Sequence, residues 1–134
     1  MAAPDLMPAL DTPGTGVIVT GGSSGIGLAS ARALAAVGRA VALWDINGSR
    51  ARDEAAQIAS DYGVAALGVA IDLTDLAAYP AAIEASRAAL GTLGGLVHCA
   101  GIVDTGSLDG LTEEGWAAGI NTHLRPLAML TKAL

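Results

Sequence analysis

The densest group of chemically suggestive residues is Thr20-Gly21-Gly22-Ser23-Ser24-Gly25-Ile26-Gly27, lying between a short β-branched run and an apolar pattern of helical period. A turn of this kind, opening a helix, aims backbone N–H donors and the positive end of the helix dipole at one point, which suits a phosphate or pyrophosphate. Gly21 permits a tight exit from the strand, Gly25 lets backbone approach the anion, and Gly27 lets the helix pack closely, with Ser23, Ser24 and Ile26 completing the cradle. The plain alternative is an ordinary glycine-rich βα turn, but the strand–turn–helix order that the motif requires is met. Two competing loops fail. A Walker loop needs Lys after the last glycine, where Leu28 stands, and Gly14-Thr15-Gly16 precedes the strand and so cannot open a helix.

Asp45 ends a second apolar run 18 residues after Gly27, followed by Ile46. An acidic side chain there can accept hydrogen bonds from adenosine ribose hydroxyls and repel a 2′-phosphate, a choice that selects NAD over NADP. The plain alternative for Asp45 is a strand-end residue leading into a helix. Asp72-Leu73-Thr74-Asp75 closes the third run, and an Asx-type cap for the next helix is one role for its carboxylates. His98-Cys99-Ala100-Gly101 follows the fourth run. There Cys99 reads as a buried small hydrophobe. His98 has no Cys or His at ligand spacing, so it reads as a packed or capping residue and no metal site is expected.

The elements that must position these residues follow from periodicity. Val17 to Thr20, Ala40 to Trp44, Val64 to Ile71 and Leu96 to Cys99 read as strands, the third a continuous apolar run expected to be covered on both faces. Helices are expected from Gly25 to Val37, from Ser49 to Ser60, and from about Tyr79 after an irregular turn at Leu76 to Ala78, where Pro80 sets the start. A last helix opens at the cap Thr112, with Glu113 and Glu114 complementing its dipole. Strands alternating with helices specify an α/β class: a doubly wound, Rossmann-like parallel sheet built from its first four βα units. Residues 1–15, with Pro4, Pro8 and Pro13, are expected as a flexible tail, and residues 16–134 as a dinucleotide-binding domain. Leu134 falls inside a helical pattern without a Gly or Pro stop, so this domain is expected to be truncated at its C-terminus.

Composition narrows the function classes. The 134 residues hold 7 basic and 13 acidic side chains, and Lys132 is the only lysine, which argues against a nucleic-acid partner. No apolar run approaches the length of a membrane span, so no membrane association is expected. One cysteine rules out an internal disulfide framework and fits a reducing, cytoplasmic setting.

The spacing T-G-x-x-x-G-x-G resembles the fingerprint of the short-chain dehydrogenase/reductase family, and the resemblance runs from about Val17 to the end of the chain. It implies NAD-linked hydride transfer between a hydroxyl and a carbonyl of a small alcohol or ketone, in a homo-oligomer. It places the Asp72 carboxylate at the adenine amino group and Leu73 against the ring. Ser24 stands where NADP-dependent relatives often carry a basic residue, in agreement with NAD. Cys99, Ala100 and Gly101 come to lie beside the nicotinamide ribose, although the family usually reads Asn-Asn-Ala-Gly and both asparagines are replaced here, by His98 and Cys99. The family also has an Asn on a helix kink that anchors a water. Gap-free alignment puts His123 in that place, with Asn121 as the alternative two residues earlier, about 200° away around a helix.

The family's acid/base pair, Tyr-x-x-x-Lys, and the Ser before it are missing. Ala66 stands four residues after Tyr62, Ile83 four after Tyr79, and Ala128 four before Lys132. The chain alone is therefore expected to be inactive, and a non-catalytic dinucleotide-binding module or degenerate family member is the alternative function.

Overall fold

A computed structural model describes residues 14–104 and 106–134. Four parallel strands, β1 (Gly16–Thr20), β2 (Val41–Asp45), β3 (Ala66–Ala70) and β4 (Leu93–His98), form one sheet in the order β3-β2-β1-β4. The chain runs outward from β1 through β3 and then crosses back to β4, so the direction of winding reverses between β1 and β4. In such sheets the crevice at the strands' carboxyl ends, at this reversal, is where ligands bind.

Alternation along β1 and β2 builds two cores. Val17, Val19, Val41 and Leu43 face one side, where α1 (Gly25–Ala36) and α2 (Gly48–Tyr62) supply Ala31, Ala35, Ala51, Ala55 and Ile58. Ile18, Ala42 and Trp44 face the other, against Tyr79, Ala82, Ile83 and Leu90 of α3 (Tyr79–Leu90). The buried positions of α1 (Gly27, Ala31, Ala35) recur every four residues, so one narrow stripe of small side chains lets the helix lie close to the sheet. Arg32 on α1 pairs with Glu54 on α2 at 2.9 Å and ties the two outer helices together. On the opposite face the Trp44 indole donates to Ser86 Oγ at 3.0 Å, and the Tyr79 hydroxyl donates to the Leu73 carbonyl at 2.6 Å, so these buried polar atoms are satisfied.

Three elements differ from the expected ranges by two residues or more at one end. Asn47 caps α2 by accepting from the Arg50 N–H, and Gly63, at φ 68°, ends the helix two residues beyond Ser60. β3 is shorter than the apolar run and is half-buried rather than covered on both faces, with Ala70 exposed, because it lies at the sheet edge. β4 begins at Leu93, three residues before the expected start, because pairing with β1 extends through two glycines.

The last helix is not continuous. It opens as α4 (Glu113–Gly119), with Thr112 Oγ1 accepting from the Gly115 N–H at 3.0 Å, as expected. A π-helical turn, Ile120–Leu124, then separates it from α5 (Arg125–Ala133). Pro126 accounts for the interruption: it has no N–H to donate and its ring crowds the carbonyl four residues back, so the wider turn just before it relieves the ladder. Arg125 accordingly donates to Ile120, five residues back.

Candidate dinucleotide site

A cleft of about 680 Å³ opens at the carboxyl ends of the strands, within the range typical of small-ligand sites. Gly21, Ser24, Gly25, Ile26 and Gly27 form its floor; Asp45, Ile46, Asp72 and Leu73 line one wall; Cys99, Ala100 and Gly101 line the other. Twelve of the thirteen residues expected to contact a cofactor thus meet in one cavity. Ser23 is the exception, buried beneath it. Trp44, Ile71, Thr74, Ile102 and Thr122 also line the cleft and were not among the expected cofactor contacts.

The glycines of the cradle have separate reasons. Gly25 has φ +52°, a left-handed conformation that favours glycine, and a Cβ built there meets nothing within 4 Å, so its backbone faces open space. A Cβ on Gly27 would overlap the carbonyl oxygen of Gly21, so only glycine lets the first turn of α1 rest on the end of β1. The N-cap Ser24 makes no side-chain cap bond, and the first turn of α1 contains no acidic residue. Its leading N–H groups therefore remain available to an anion, and the positive end of the helix dipole is not neutralised locally.

Asp45 is held in place by the backbone. Oδ2 accepts from the Ser23 N–H at 3.1 Å and Oδ1 from the Asn47 N–H at 3.0 Å, which fixes the carboxylate at the cleft wall with further lone pairs on both oxygens. Among the described residues, no Lys or Arg lines the cleft. Asp72 Oδ1 closes an Asx turn, accepting from the Thr74 N–H at 2.9 Å and the Thr74 hydroxyl at 2.7 Å, and these bonds hold its carboxyl below the usual range. The capping role for this segment is thus present. Oδ2 of the exposed Asp72 takes no part in the turn. Asp75 caps the next turn through the Ala77 N–H.

At the end of β4 the hydroxyl of Thr20 gathers the chain: it accepts from the N–H groups of Cys99 and Ala100, each at 3.2 Å, and lies 2.7 Å from His98 Nδ1. Cys99 is a half-buried free thiol. His123 lies in the π turn with its ring against Gly101 and its Nε2 at the backbone of Ile102, whereas Asn121 makes no contact with the cleft lining in the hydrogen-bond network. Thr122, between them, faces the cavity. Of the two tyrosines, Tyr79 is buried and bonded to Leu73, and burial pushes its phenol above the ordinary value. Among the described residues, no cluster of His, Cys, Asp and Glu could hold a metal ion, and no helix is long and apolar enough to cross a membrane.

Galactitol 2-dehydrogenase of Agrobacterium fabrum is 37% identical over 117 residues, which are 87% of this chain and 44% of that enzyme. The 2-dehydro-3-deoxy-L-rhamnonate dehydrogenase (NAD(+)) of a Sphingomonas species is 44% identical over 108 residues, 81% of this chain and 39% of the relative. A crystal structure of a short chain dehydrogenase from Burkholderia cenocepacia in complex with NADP superposes with a TM-score of 0.81 at 37% identity, over 90% of this chain and 49% of that one. The chain thus spans less than half the length of these relatives. The family described as short chain dehydrogenase matches residues 15–134. The doubly wound parallel sheet, the glycine-rich turn and this match together place the chain in the short chain dehydrogenase family.

Proposed function

We propose that the chain is the NAD(H)-binding portion of an oxidoreductase that interconverts a hydroxyl and a carbonyl on a small alcohol or ketone. The observation that carries the choice of NAD is Asp45, whose two oxygens are oriented by the Ser23 and Asn47 N–H groups at a cleft wall without Lys or Arg. A 2′-phosphate brought there would meet a fixed carboxylate and, among the described lining residues, no Lys or Arg, whereas ribose hydroxyls would find acceptors. The cradle fits the rest of the group: uncapped N–H groups of α1 for the pyrophosphate, Asp72 and Leu73 for the adenine, and Cys99, Ala100 and Gly101 for the nicotinamide ribose.

When bound, the nicotinamide supplies hydride acceptance and donation. The chain's own residues position it: α1 and Gly25 hold the phosphates, Asp45 the ribose, and the β4 end the nicotinamide side. His123, on the π turn, is the residue we assign to the family's Asn position, rather than Asn121. Its support is the contact of its ring with Gly101 and Ile102. The acid/base step needs a group outside these 134 residues, because neither tyrosine has a Lys four residues on and Tyr79 is committed to Leu73. Self-association in the cytoplasm completes the proposal, supported by exposed Trp116, Leu124 and Leu127 and by the lone free thiol.

A second reading, a binding module without catalysis, draws on the replacement of the family's asparagines by His98, Cys99 and His123. Substitution of Asp45 tests the proposal. An aspartate–ribose hydrogen bond contributes about 1.5–3 kcal/mol, so Asp45→Ala should weaken NADH roughly ten- to a hundredfold, and NADPH much less. Equal losses for both cofactors would remove Asp45 from cofactor choice.

A further inference from the structure

We infer that His98 and His123 form a clasp that positions the cofactor-facing segment Cys99–Ile102 against the π turn, with His98 as the positioning residue at its centre; the cofactor role of that segment rests on the proposed function. The His98 ring spans two elements. Nε2 lies 2.8 Å from the His123 carbonyl oxygen, and Nδ1 lies 2.7 Å from Thr20 Oγ1. A carbonyl can only accept, so Nε2 carries the hydrogen. In neutral imidazole Nδ1 then accepts, and the Thr20 hydroxyl must donate to it. Thr20 Oγ1 is free to do so because its lone pairs are filled by the N–H groups of Cys99 and Ala100. Every hydrogen in the chain Cys99/Ala100 → Thr20 → His98 → His123 thus has one allowed place.

His123 closes the circuit in the reverse direction. Its Nε2 lies 2.8 Å from the Ile102 carbonyl and 3.1 Å from the Ile102 N–H, and can serve one of them at a time. Its ring lies so close to Gly101 that a Cβ there would overlap Cε1. Residues 98 and 102 are therefore both tied to residue 123, one through its carbonyl and the other through its ring. The tie to the carbonyl is made within the π turn that precedes Pro126, where the regular helical ladder is already broken. Asn at position 98 would match the reach of Nδ1 but not that of Nε2; Gln would match Nε2.

The test uses the 134-residue chain. Long-range 1H–15N spectra of the imidazoles at neutral pH, without cofactor, should show His98 as the neutral Nε2–H tautomer, and amide exchange should protect the N–H groups of Cys99 and Ala100. His98→Leu should speed exchange at Cys99, Ala100 and residues 120–125 at least tenfold and weaken NADH three- to tenfold, while His98→Gln should restore most of the protection in 120–125. An Nδ1–H tautomer, or a Leu variant whose exchange in 120–125 matches the unmutated chain, would overturn the clasp. If His98→Leu does not fold, the tautomer of the unmutated chain decides. Failure of the unmutated chain to bind NADH, with the tautomer and the exchange pattern as expected, would count against the proposed function and leave the clasp standing.

Discussion

Adding one methyl group at Gly27 tests the cradle most economically. A Cβ there would overlap the Gly21 carbonyl oxygen, stand 2.7 Å from the Gly21 carbonyl carbon and lie 3.3 Å from Cys99 Cβ. Carbon–carbon contacts settle near 3.5 Å or beyond, so the first turn of α1 has to retreat by about 1 Å. Gly21 cannot yield instead, because a Cβ built on it already falls 2.8 Å from the Ala100 nitrogen, which places the next backbone directly behind it. A retreat of about 1 Å stretches an N–H···O bond beyond useful length. Losing one charge-assisted bond to phosphate, at about 1.5–3 kcal/mol, lowers affinity roughly ten- to a hundredfold, and overpacking costs about 1–3 kcal/mol of stability. Gly38→Ala is the matched control. Gly38, unlike Gly27, has a positive φ, +83°, with nothing near its Cβ, so the substitution costs stability through backbone strain at the far end of α1 without touching the cradle. Titration with NADH and urea unfolding of both variants separate the two effects. A folded Gly27→Ala variant that binds NADH within twofold of the unmutated chain would refute the reasoning.

Three other outcomes are expected. Tyr79→Phe removes the donor to the buried Leu73 carbonyl and should lower unfolding free energy by about 1–2 kcal/mol in urea; no change would show that the carbonyl finds another partner. The Asp72 carboxyl is held low by the Thr74 N–H first and the Thr74 hydroxyl second. A depressed folded value contributes stability that is present above the unfolded carboxylate value and lost as pH falls through the folded one. Thr74→Ala should therefore raise the Asp72 titration seen by carboxyl 13C NMR only part of the way to the ordinary 3.8, which shrinks this acid-side loss and moves its lower limit to higher pH while its onset stays at the unfolded value. Purified as the 134-residue chain, the protein should form no NADH at 340 nm with an alcohol panel. Turnover would place the acid/base group within these residues.

Much of this was legible in the sequence because its signals are local. The cradle announces itself through glycine spacing between a strand and a helix, and Asp45 and Asp72 through their places at strand ends, because the carboxyl ends of parallel strands converge on one crevice. What escaped depends on partners distant in the chain or on hydrogen-bond geometry. Thr20 reads as the last residue of a strand, and nothing nearby indicates that its hydroxyl would serve residues almost 80 positions away. The family resemblance put a helix kink at His123, inside the π turn, but its π form is not carried by periodicity, and Pro126 is its local sign in the residues themselves. The exposure of β3 follows from strand order, which an apolar run does not encode.

The central claim is that this cleft takes NAD(H) in preference to NADP(H). Calorimetric titration of the unmutated chain with NADH and NADPH, at one ionic strength, tests it most directly. The carboxylate of Asp45 at a wall without Lys or Arg predicts that NADH binds at least tenfold more tightly. Equal or tighter binding of NADPH would contradict it.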